Sequence, residues 1–185
     1  MKQLTVLTLV GLLVLPPVGA FADHGEASPS PVPPPARLQL DLERGISIDR
    51  QFRRIPPEPI MRITRADIQL IDSMGFEFVK LIVNPEPLMS AAGLDRSKTW
   101  HLLEIVDLVV SEGLPVVVCI HPEWEFKKTT LDDLTAFARY LQFLEETSTL
   151  LAARWGPKQL ALQLMTEPVT DTLDWNDLQR RMWQT

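Results

Sequence analysis

The chain carries, near its end, the stretch Leu160-Ala161-Leu162-Gln163-Leu164-Met165-Thr166-Glu167-Pro168. This stretch is uncharged and mostly apolar as far as Thr166, a pattern typical of a strand buried on both faces, and a carboxylate follows at Glu167. Pro168 has no backbone N–H for a strand ladder, so the chain is predicted to turn into a loop there. Because parallel sheets bind ligands at the carboxyl ends of their strands, Glu167 lies where a catalytic group is expected. The alternative is an ordinary solvated glutamate at the end of a strand.

Before this stretch, the sequence repeats a pattern of helix, glycine and strand. The first predicted unit is a helix that Thr64 and Asp67 cap and Gly75 ends, followed by a strand over 76–83. The second is a helix over 100–112 with a strand over 114–120. In the third, Thr130 and Asp133 open a helix that Gly156 ends before the strand at Leu160. A first strand is predicted at 45–48 and a last helix at 175–183. Each glycine can adopt the left-handed conformation that stops a helix.

Strands that alternate with helices fit either an open doubly wound sheet or part of a (β/α)8 TIM barrel. No glycine-rich phosphate loop follows any predicted strand, which leaves a dinucleotide-binding fold without support. The polar and aromatic residues of interest directly follow strands instead, as they do in TIM barrels. A whole barrel takes about 250 residues, so residues 37–185 are predicted to form about its first four βα units.

The first 36 residues are predicted to lie outside this domain. Lys2 precedes an apolar run over 4–15, and the small-residue site Ala20-Phe21-Ala22 follows, which predicts a secretory signal peptide over 1–22. The run is shorter than the roughly 20 apolar residues of a membrane span, although a retained N-terminal anchor is the alternative. Residues 23–36 are rich in proline, alanine and serine and are predicted to be a linker. The mature protein is therefore expected to be secreted or periplasmic.

The amino-acid composition indicates which partners and ligands are not expected. The 185-residue chain is 45% hydrophobic and has a formal net charge of −6, which argues against a nucleic-acid partner and, after signal cleavage, against a membrane partner. The single cysteine, Cys119, stands in an apolar run and is predicted to be a small core residue. The three histidines are isolated and lack the spacing of metal ligands, so no metal and no cofactor is expected.

The predicted strand ends resemble those of glycoside hydrolase family 5, the cellulase-like retaining barrels. The stretches that carry the resemblance, over nearly all of residues 37–185, are Arg44-Gly45-Ile46-Ser47-Ile48, Gly75-Phe76-Glu77-Phe78-Val79-Lys80-Leu81, Gly113-Leu114-Pro115-Val116-Val117-Val118-Cys119-Ile120-His121 and Leu162-Gln163-Leu164-Met165-Thr166-Glu167-Pro168. They are similar to the family's first, second, third and fourth strands, in that order.

This resemblance implies a retaining O-glycoside hydrolase that acts on β-linked polysaccharide, as an endoglucanase does. Glu167 stands where the family has Asn-Glu-Pro, whose glutamate is the acid/base. The family's nucleophile lies on the seventh strand, beyond Thr185, so the chain is interpreted as a catalytically incomplete N-terminal portion. Unpaired sheet edges of such a half-barrel are expected to cause self-association.

Five other residues are expected to bind the carbohydrate: His121, Thr166, Lys80, Trp124 and Trp175. His121 ends the third strand, where it can bond a substrate hydroxyl or serve a structural role, and Trp124 and Trp175 follow strands, where aromatic rings can stack on sugar faces. Trp100 and Trp155 flank helix ends and are expected to pack instead. Glu123 and Glu125 are expected to be solvated in a mobile loop.

The chain also departs from the family pattern. Lys80 replaces an arginine that supports the nucleophile, Thr166 replaces an asparagine that contacts the sugar, and Pro122 replaces a second histidine. These departures favour an alternative, an exported non-catalytic carbohydrate-binding pseudoenzyme. A third interpretation is another barrel enzyme that uses a strand-end glutamate on a different substrate.

Overall fold

The computed structural model describes residues 42–52, 62–169 and 174–185. Its strands and helices are β1 Gly45–Phe52, α1 Arg65–Ser73, β2 Phe78–Val83, β3 Met89–Ser90, β4 Gly93–Leu94, α2 Trp100–Ser111, β5 Val116–Ile120, α3 Trp124–Asp132, α4 Leu134–Ala152, β6 Leu160–Gln163 and α5 Trp175–Trp183. Within these ranges no helix has the length and apolarity that a membrane span requires. The signal peptide at 1–22 and the linker at 23–36 lie outside the described residues and stay predictions.

The main sheet contains four parallel strands in the order β1, β2, β5, β6, which is also their order along the chain. Alternate side chains of β2, namely Val79, Leu81 and Val83, have no exposed surface and pack with helix residues such as Ile68 and Val106. Successive parallel strands joined by helices are the arrangement of a (β/α)8 barrel. The predicted α/β class and the four strands are therefore confirmed.

The face of the sheet away from the helices, here called the inner face, carries the other alternate side chains. The strand register places Lys80 of β2 beside Val117 of β5 and Ala161 of β6, and it places Cys119 beside Gln163. Residues opposite each other in a ladder share a face. In a (β/α)8 barrel this face lines the interior, so Lys80 and Cys119 lie on the side of the sheet that faces the barrel axis.

Several local signals in the sequence are confirmed. The Thr64 hydroxyl accepts the Asp67 N–H at 3.4 Å and the Asp67 carboxylate accepts the Thr64 N–H at 2.7 Å, which is the capping box predicted for α1. Gly75 and Gly113 follow α1 and α2 with φ of 79° and 91°. Both helices thus stop where glycine accepts the left-handed conformation.

The prediction that Thr130 opens the long helix is wrong. Thr130 lies buried in α3, and α4 begins after Asp133, whose carboxylate accepts the Ala136 N–H at 2.7 Å. Threonine and aspartate are both good N-cap residues, and the pattern did not separate them. Gly156 does not end α4 either, because the helix stops at Ala152.

The stretch Leu160–Pro168 is less buried than predicted. The strand β6 ends at Gln163, and all of its residues are half-buried. Among the described strands β6 pairs only with β5, so it lies at an edge of the sheet. The prediction of a strand buried on both faces is therefore wrong, and Glu167 lies on a loop beyond the strand.

The segment between β2 and α2 forms a hairpin, β3–β4, that the sequence patterns did not predict. Glu146 of α4 holds this hairpin, because its carboxylate accepts the Leu94 N–H at 2.7 Å. The Gln142 side chain donates to the Ala92 carbonyl at 2.9 Å. The loop that follows β2 is thus fixed to the helix that precedes β6.

Substitution of Gly93 is expected to release this hairpin. Gly93 has a φ of 100°, and a Cβ there would lie 2.7 Å from Glu146 Oε2. Gly93→Ala should lose about 1 to 2 kcal/mol from the backbone conformation, and it should also displace the Glu146 carboxylate. Gly113→Ala is the matched control, since Gly113 has a φ of 91° and no atom within 4 Å of an added Cβ. Thermal unfolding should show a larger loss for Gly93→Ala, and equal losses would contradict the role of Glu146.

The hairpin contact also predicts a pH dependence of stability. The Leu94 N–H, and then the Gln142 side chain, hold the pKa of Glu146 below its ordinary value of 4.5. Because the unfolded chain then takes up the proton at a higher pH than the folded chain, this contribution to stability is present above about pH 4.5 and is lost as pH falls through the folded pKa. Urea unfolding at pH 6 and pH 3.5 should show a smaller loss on acidification in Glu146→Gln than in the wild type. An identical loss in both proteins would contradict this prediction.

Self-association stays a prediction, which two features support. β1 and β6 each have one described strand neighbour, and exposed strand edges invite pairing with another chain. Leu70 of α1 is 59% exposed, and Met74, which follows α1, is 63% exposed. Sedimentation of residues 37–185 is expected to show dimers or larger species. A compact monomer that unfolds cooperatively would contradict the half-barrel interpretation.

Candidate active site

The ends of β5 and β6 bring His121 and Thr166 together. The His121 N–H donates to the Val83 carbonyl at 2.8 Å, and the Thr166 N–H donates to the Ile120 carbonyl at 3.1 Å. The Thr166 hydroxyl is hydrogen-bonded to His121 Nδ1. Backbone bonds to neighbouring strands therefore hold both residues at the carboxyl-terminal edge of the sheet, where the sequence predicted them.

Glu167 follows in an unusual backbone conformation. Its φ of 47° is in the left-handed region, and among the described residues it is the only one other than glycine with a positive φ. Its side chain is 81% exposed. Left-handed backbone at a non-glycine residue is found preferentially at functional sites. The loop thus turns Glu167 out of the strand direction and presents its carboxylate at the edge of the sheet.

The partner of this carboxylate comes from α3. Lys127 is buried, with 4% of its side chain exposed, and its Nζ lies 3.9 Å from Glu167 Oε2. The sequence analysis missed Lys127, because the stretch after His121 was interpreted as a mobile loop. The structure instead starts α3 at Trp124, with Glu123 as its N-cap residue. Glu123 and Glu125 are exposed, so their predicted solvation is confirmed.

On the inner face, Lys80 and Cys119 lie close to the same site. Cys119 is fully buried, which confirms its prediction as a core residue. Burial raises the pKa of the Cys119 thiol, and the charge of Lys80 and hydrogen bonds with Lys80 and Thr166 offset this only in part. The thiol is therefore protonated at neutral pH and is not an activated nucleophile.

A second carboxylate, which sequence reasoning also missed, lies beyond the end of β2. Burial, and then the negative charge of Glu123, raise the pKa of Glu86 above its ordinary value of 4.5. The Glu86 N–H donates to the buried Asn84 side chain at 3.1 Å, which fixes the turn after the strand. The same signal, a polar residue just after a strand, indicates Glu86 after β2 as it indicates His121 after β5.

The tryptophans divide into exposed and buried positions. Trp124 is 59% exposed at the start of α3, whereas Trp175 is half-buried at the start of α5 and packs against the core. The structure does not bring either ring into the hydrogen-bonded cluster around Thr166. Trp155 is buried, as predicted, but Trp100 is 54% exposed at the start of α2, so its predicted packing is wrong. Trp100 tilts against the neighbouring His101 ring instead.

Among the described residues, no group of three or more histidine, cysteine, aspartate or glutamate side chains could hold a metal ion. The candidate site contains the exposed carboxylate of Glu167, the imidazole of His121 and the ammonium groups of Lys80 and Lys127. Such groups can transfer a proton and bind hydroxyls.

Comparisons with known proteins give a fold but no sequence family. No protein-family model and no curated protein sequence matches the chain. Solved structures do match. The tri-modular endo-β-1,4-glucanase B (Cel5B) of Bacillus halodurans matches with a TM-score of 0.66 at 18% identity, over 78% of this chain and 30% of that one. Cel5A of Thermotoga maritima, solved in complex with cellobiose, matches with a TM-score of 0.64 at 20% identity, over 77% of this chain and 47% of that one.

A third matching structure is named as a cellulose synthase subunit and not as an endoglucanase. The cellulose synthase subunit Z of Clostridioides difficile has a TM-score of 0.58 at 20% identity, over 69% of this chain and 42% of that one. The chain thus spans less than half the length of each of these three proteins. At these identities the likeness establishes fold alone: this chain has the fold of part of a (β/α)8 barrel, as found in family 5 endoglucanases.

Proposed function

We propose that this chain is the N-terminal half of a retaining O-glycoside hydrolase of family 5 that acts on β-linked polysaccharide, with Glu167 as its general acid/base. The observation that carries the proposal is the placement of Glu167 after the fourth strand of an endoglucanase-like parallel sheet, in a left-handed conformation next to Thr166. The four matching strand ends, in family order, support it as well.

The chemistry requires two carboxyl groups about 5 Å apart. One attacks the anomeric carbon and forms a covalent glycosyl-enzyme. Glu167 is the other: it gives its proton to the leaving oxygen, and it then removes a proton from the water that hydrolyses the intermediate. The resemblance assigns the attacking carboxylate to a seventh strand, and the main sheet of the described residues has four strands.

The neighbours of Glu167 have supporting roles in this proposal. His121 and Thr166 form one hydrogen-bonded pair that can contact sugar hydroxyls, and Lys80 supplies a positive charge on the inner face. Trp124 presents an exposed ring on which a sugar can stack. Trp175 is proposed to stack on a sugar in the same way, although it is half-buried and packs against the core.

The proposed protein is exported and works on an extracellular or periplasmic carbohydrate. The motivation is the N-terminal pattern of Lys2, the apolar run and Ala20-Phe21-Ala22. Mass spectrometry of the exported protein should find a mature chain that begins near Asp23. An exported chain that still begins at Met1 would contradict this part of the proposal.

The activity is tested by comparing this chain with a completed protein, defined as this chain extended by its natural C-terminal half-barrel. We expect the chain alone to lack glycosidase activity, because general acid catalysis alone contributes only about 10²- to 10⁴-fold. The completed protein should hydrolyse β-glucan with retention of anomeric configuration, which proton NMR of the first product detects. Inversion, or the same activity from the chain alone, would contradict the proposal.

A second candidate is an exported carbohydrate-binding pseudoenzyme, which the Lys80 and Thr166 replacements favour. The Thr166 hydroxyl is engaged with His121, so it does not reproduce the amide of the family's asparagine. Titration of the completed protein with cello-oligosaccharides separates the two candidates. Binding without hydrolysis would favour the pseudoenzyme.

A further inference from the structure

The two side chains of the Lys127–Glu167 ion pair differ greatly in burial. The Lys127 side chain is only 4% exposed, and it is fixed in α3, whereas the Glu167 side chain is 81% exposed on a loop. An exposed carboxylate on a loop samples many rotamers unless a partner restricts it. Lys127 is the one described residue within ion-pair distance of Glu167.

This pair differs from an ordinary surface salt bridge. Surface pairs contribute little, partly because both side chains must be ordered to form them. Here burial has already ordered the lysine, so the pair restricts Glu167 at little further cost. Burial of an ammonium group is costly unless the charge is paired, and Glu167 supplies the negative charge that Lys127 needs.

The separation also suits a proton-transfer group. Charge-assisted hydrogen bonds between ammonium and carboxylate groups are about 2.7 to 2.9 Å long, whereas Lys127 Nζ lies 3.9 Å from Glu167 Oε2. The contact therefore orients the carboxylate by charge without occupying its oxygens in a short hydrogen bond. Those oxygens remain available to water, from which the ionised carboxylate removes a proton.

We propose that Lys127 is a positioning residue that holds the ionised Glu167 carboxylate over the carboxyl-terminal edge of the sheet, in the state in which it removes a proton from the water that hydrolyses the glycosyl-enzyme. The inference rests on the proposed function. Catalytic groups need to be held within about 0.5 Å of the productive geometry. Backbone bonds fix Thr166, and Lys127 fixes the side chain of the next residue. α3 and the loop after β6, which are distant in the sequence, thus act together to place one carboxylate.

The first test uses the chain itself. Carbon-13 relaxation of the Glu167 side chain is measured in the wild type and in Lys127→Met. This substitution keeps the length of the buried stem and leaves no buried charge behind, because Glu167 is 81% exposed. Lys127→Arg tests rescue by a cation, and Lys128→Met is the matched control at the exposed neighbouring lysine. We expect Glu167 to become as mobile as the exposed Glu125 only in Lys127→Met. Equal mobility of Glu167 in the wild type and Lys127→Met would overturn the proposal.

The second test is a double-mutant cycle in the completed protein. Lys127→Met should lower kcat by about 10- to 100-fold, as displacement of a catalytic group by 1 Å does, on an activated aryl β-glycoside, for which hydrolysis of the glycosyl-enzyme limits turnover. The ratio kcat/KM, which reports formation of the glycosyl-enzyme, should change by less than about twofold. Lys127→Met should cause no further loss of kcat in a protein that already carries Glu167→Gln, because Lys127 acts through that carboxylate. A full loss in the Glu167→Gln background would show a merely structural role for Lys127 and overturn the proposal.

The cycle also separates this inference from the proposed function. If Glu167→Gln leaves hydrolysis unchanged, the proposed function fails, and the positioning role for catalysis fails with it. If Glu167→Gln abolishes hydrolysis but Lys127→Met does not change kcat, only the inference about Lys127 fails.

Discussion

Glu167→Gln in the completed protein is expected to lower the hydrolysis of unactivated β-glucan by about 10²- to 10⁴-fold, which is the usual contribution of general acid catalysis. The amide keeps the shape of the side chain and cannot donate the proton that an alkoxide leaving group needs. Aryl glycosides with acidic phenols need little protonation, so formation of the glycosyl-enzyme from them should be nearly unchanged. Stopped-flow measurement of the first turnover on both substrates checks this difference.

Glu125→Gln is the matched control for this measurement. Glu125 is an exposed glutamate in the first turn of α3, and it has the same charge as Glu167. The control should leave both substrates unaffected. Equal loss on activated and unactivated substrates in Glu167→Gln would indicate a structural effect and contradict the acid/base role.

The second large effect concerns stability. Phe137 of α4 has no exposed surface, and the Arg181 guanidinium of α5 lies 4.7 Å from the centre of its ring. Phe137→Ala should cost about 3 to 5 kcal/mol, because it removes a large buried side chain and leaves a cavity. Typical domains have a free energy of unfolding of about 5 to 15 kcal/mol, so this loss is a large fraction of the total.

Urea denaturation of residues 37–185 measures this loss against Leu134→Ala. Leu134 is on the same helix and 64% exposed, and surface substitutions usually change stability by less than about 0.5 kcal/mol. A loss in Phe137→Ala no larger than in Leu134→Ala would contradict the burial of Phe137 in the core.

Local sequence patterns predicted the elements whose signals are local. The capping box of Thr64 and Asp67 is a contact between residues three apart, and Gly75 and Gly113 act through their own backbone conformations. The strand-end rule also placed His121 and Glu167, because parallel strands present their carboxyl ends on one edge of a sheet.

The features that the sequence did not predict depend on distant parts of the chain. Lys127 and Glu167 are 40 positions apart, and no periodicity indicates that α3 turns a buried ammonium group toward the loop after β6. The half-burial of β6 depends on which strands flank it, and an apolar run does not reveal this. Thr130 and Asp133 form a false capping pattern, which only the packing of Thr130 in α3 resolves.

The central claim is that Glu167 is the acid/base of a retaining glycosidase, and azide rescue of Glu167→Gln in the completed protein tests it most directly. With the negative charge of the carboxylate gone, azide is no longer repelled and can attack the glycosyl-enzyme from the face that water normally uses. The account predicts faster turnover of an activated aryl β-glycoside and a β-glycosyl azide product with retained configuration, identified by proton NMR. Absence of the azide product, together with wild-type hydrolysis of unactivated β-glucan by Glu167→Gln, would contradict the claim.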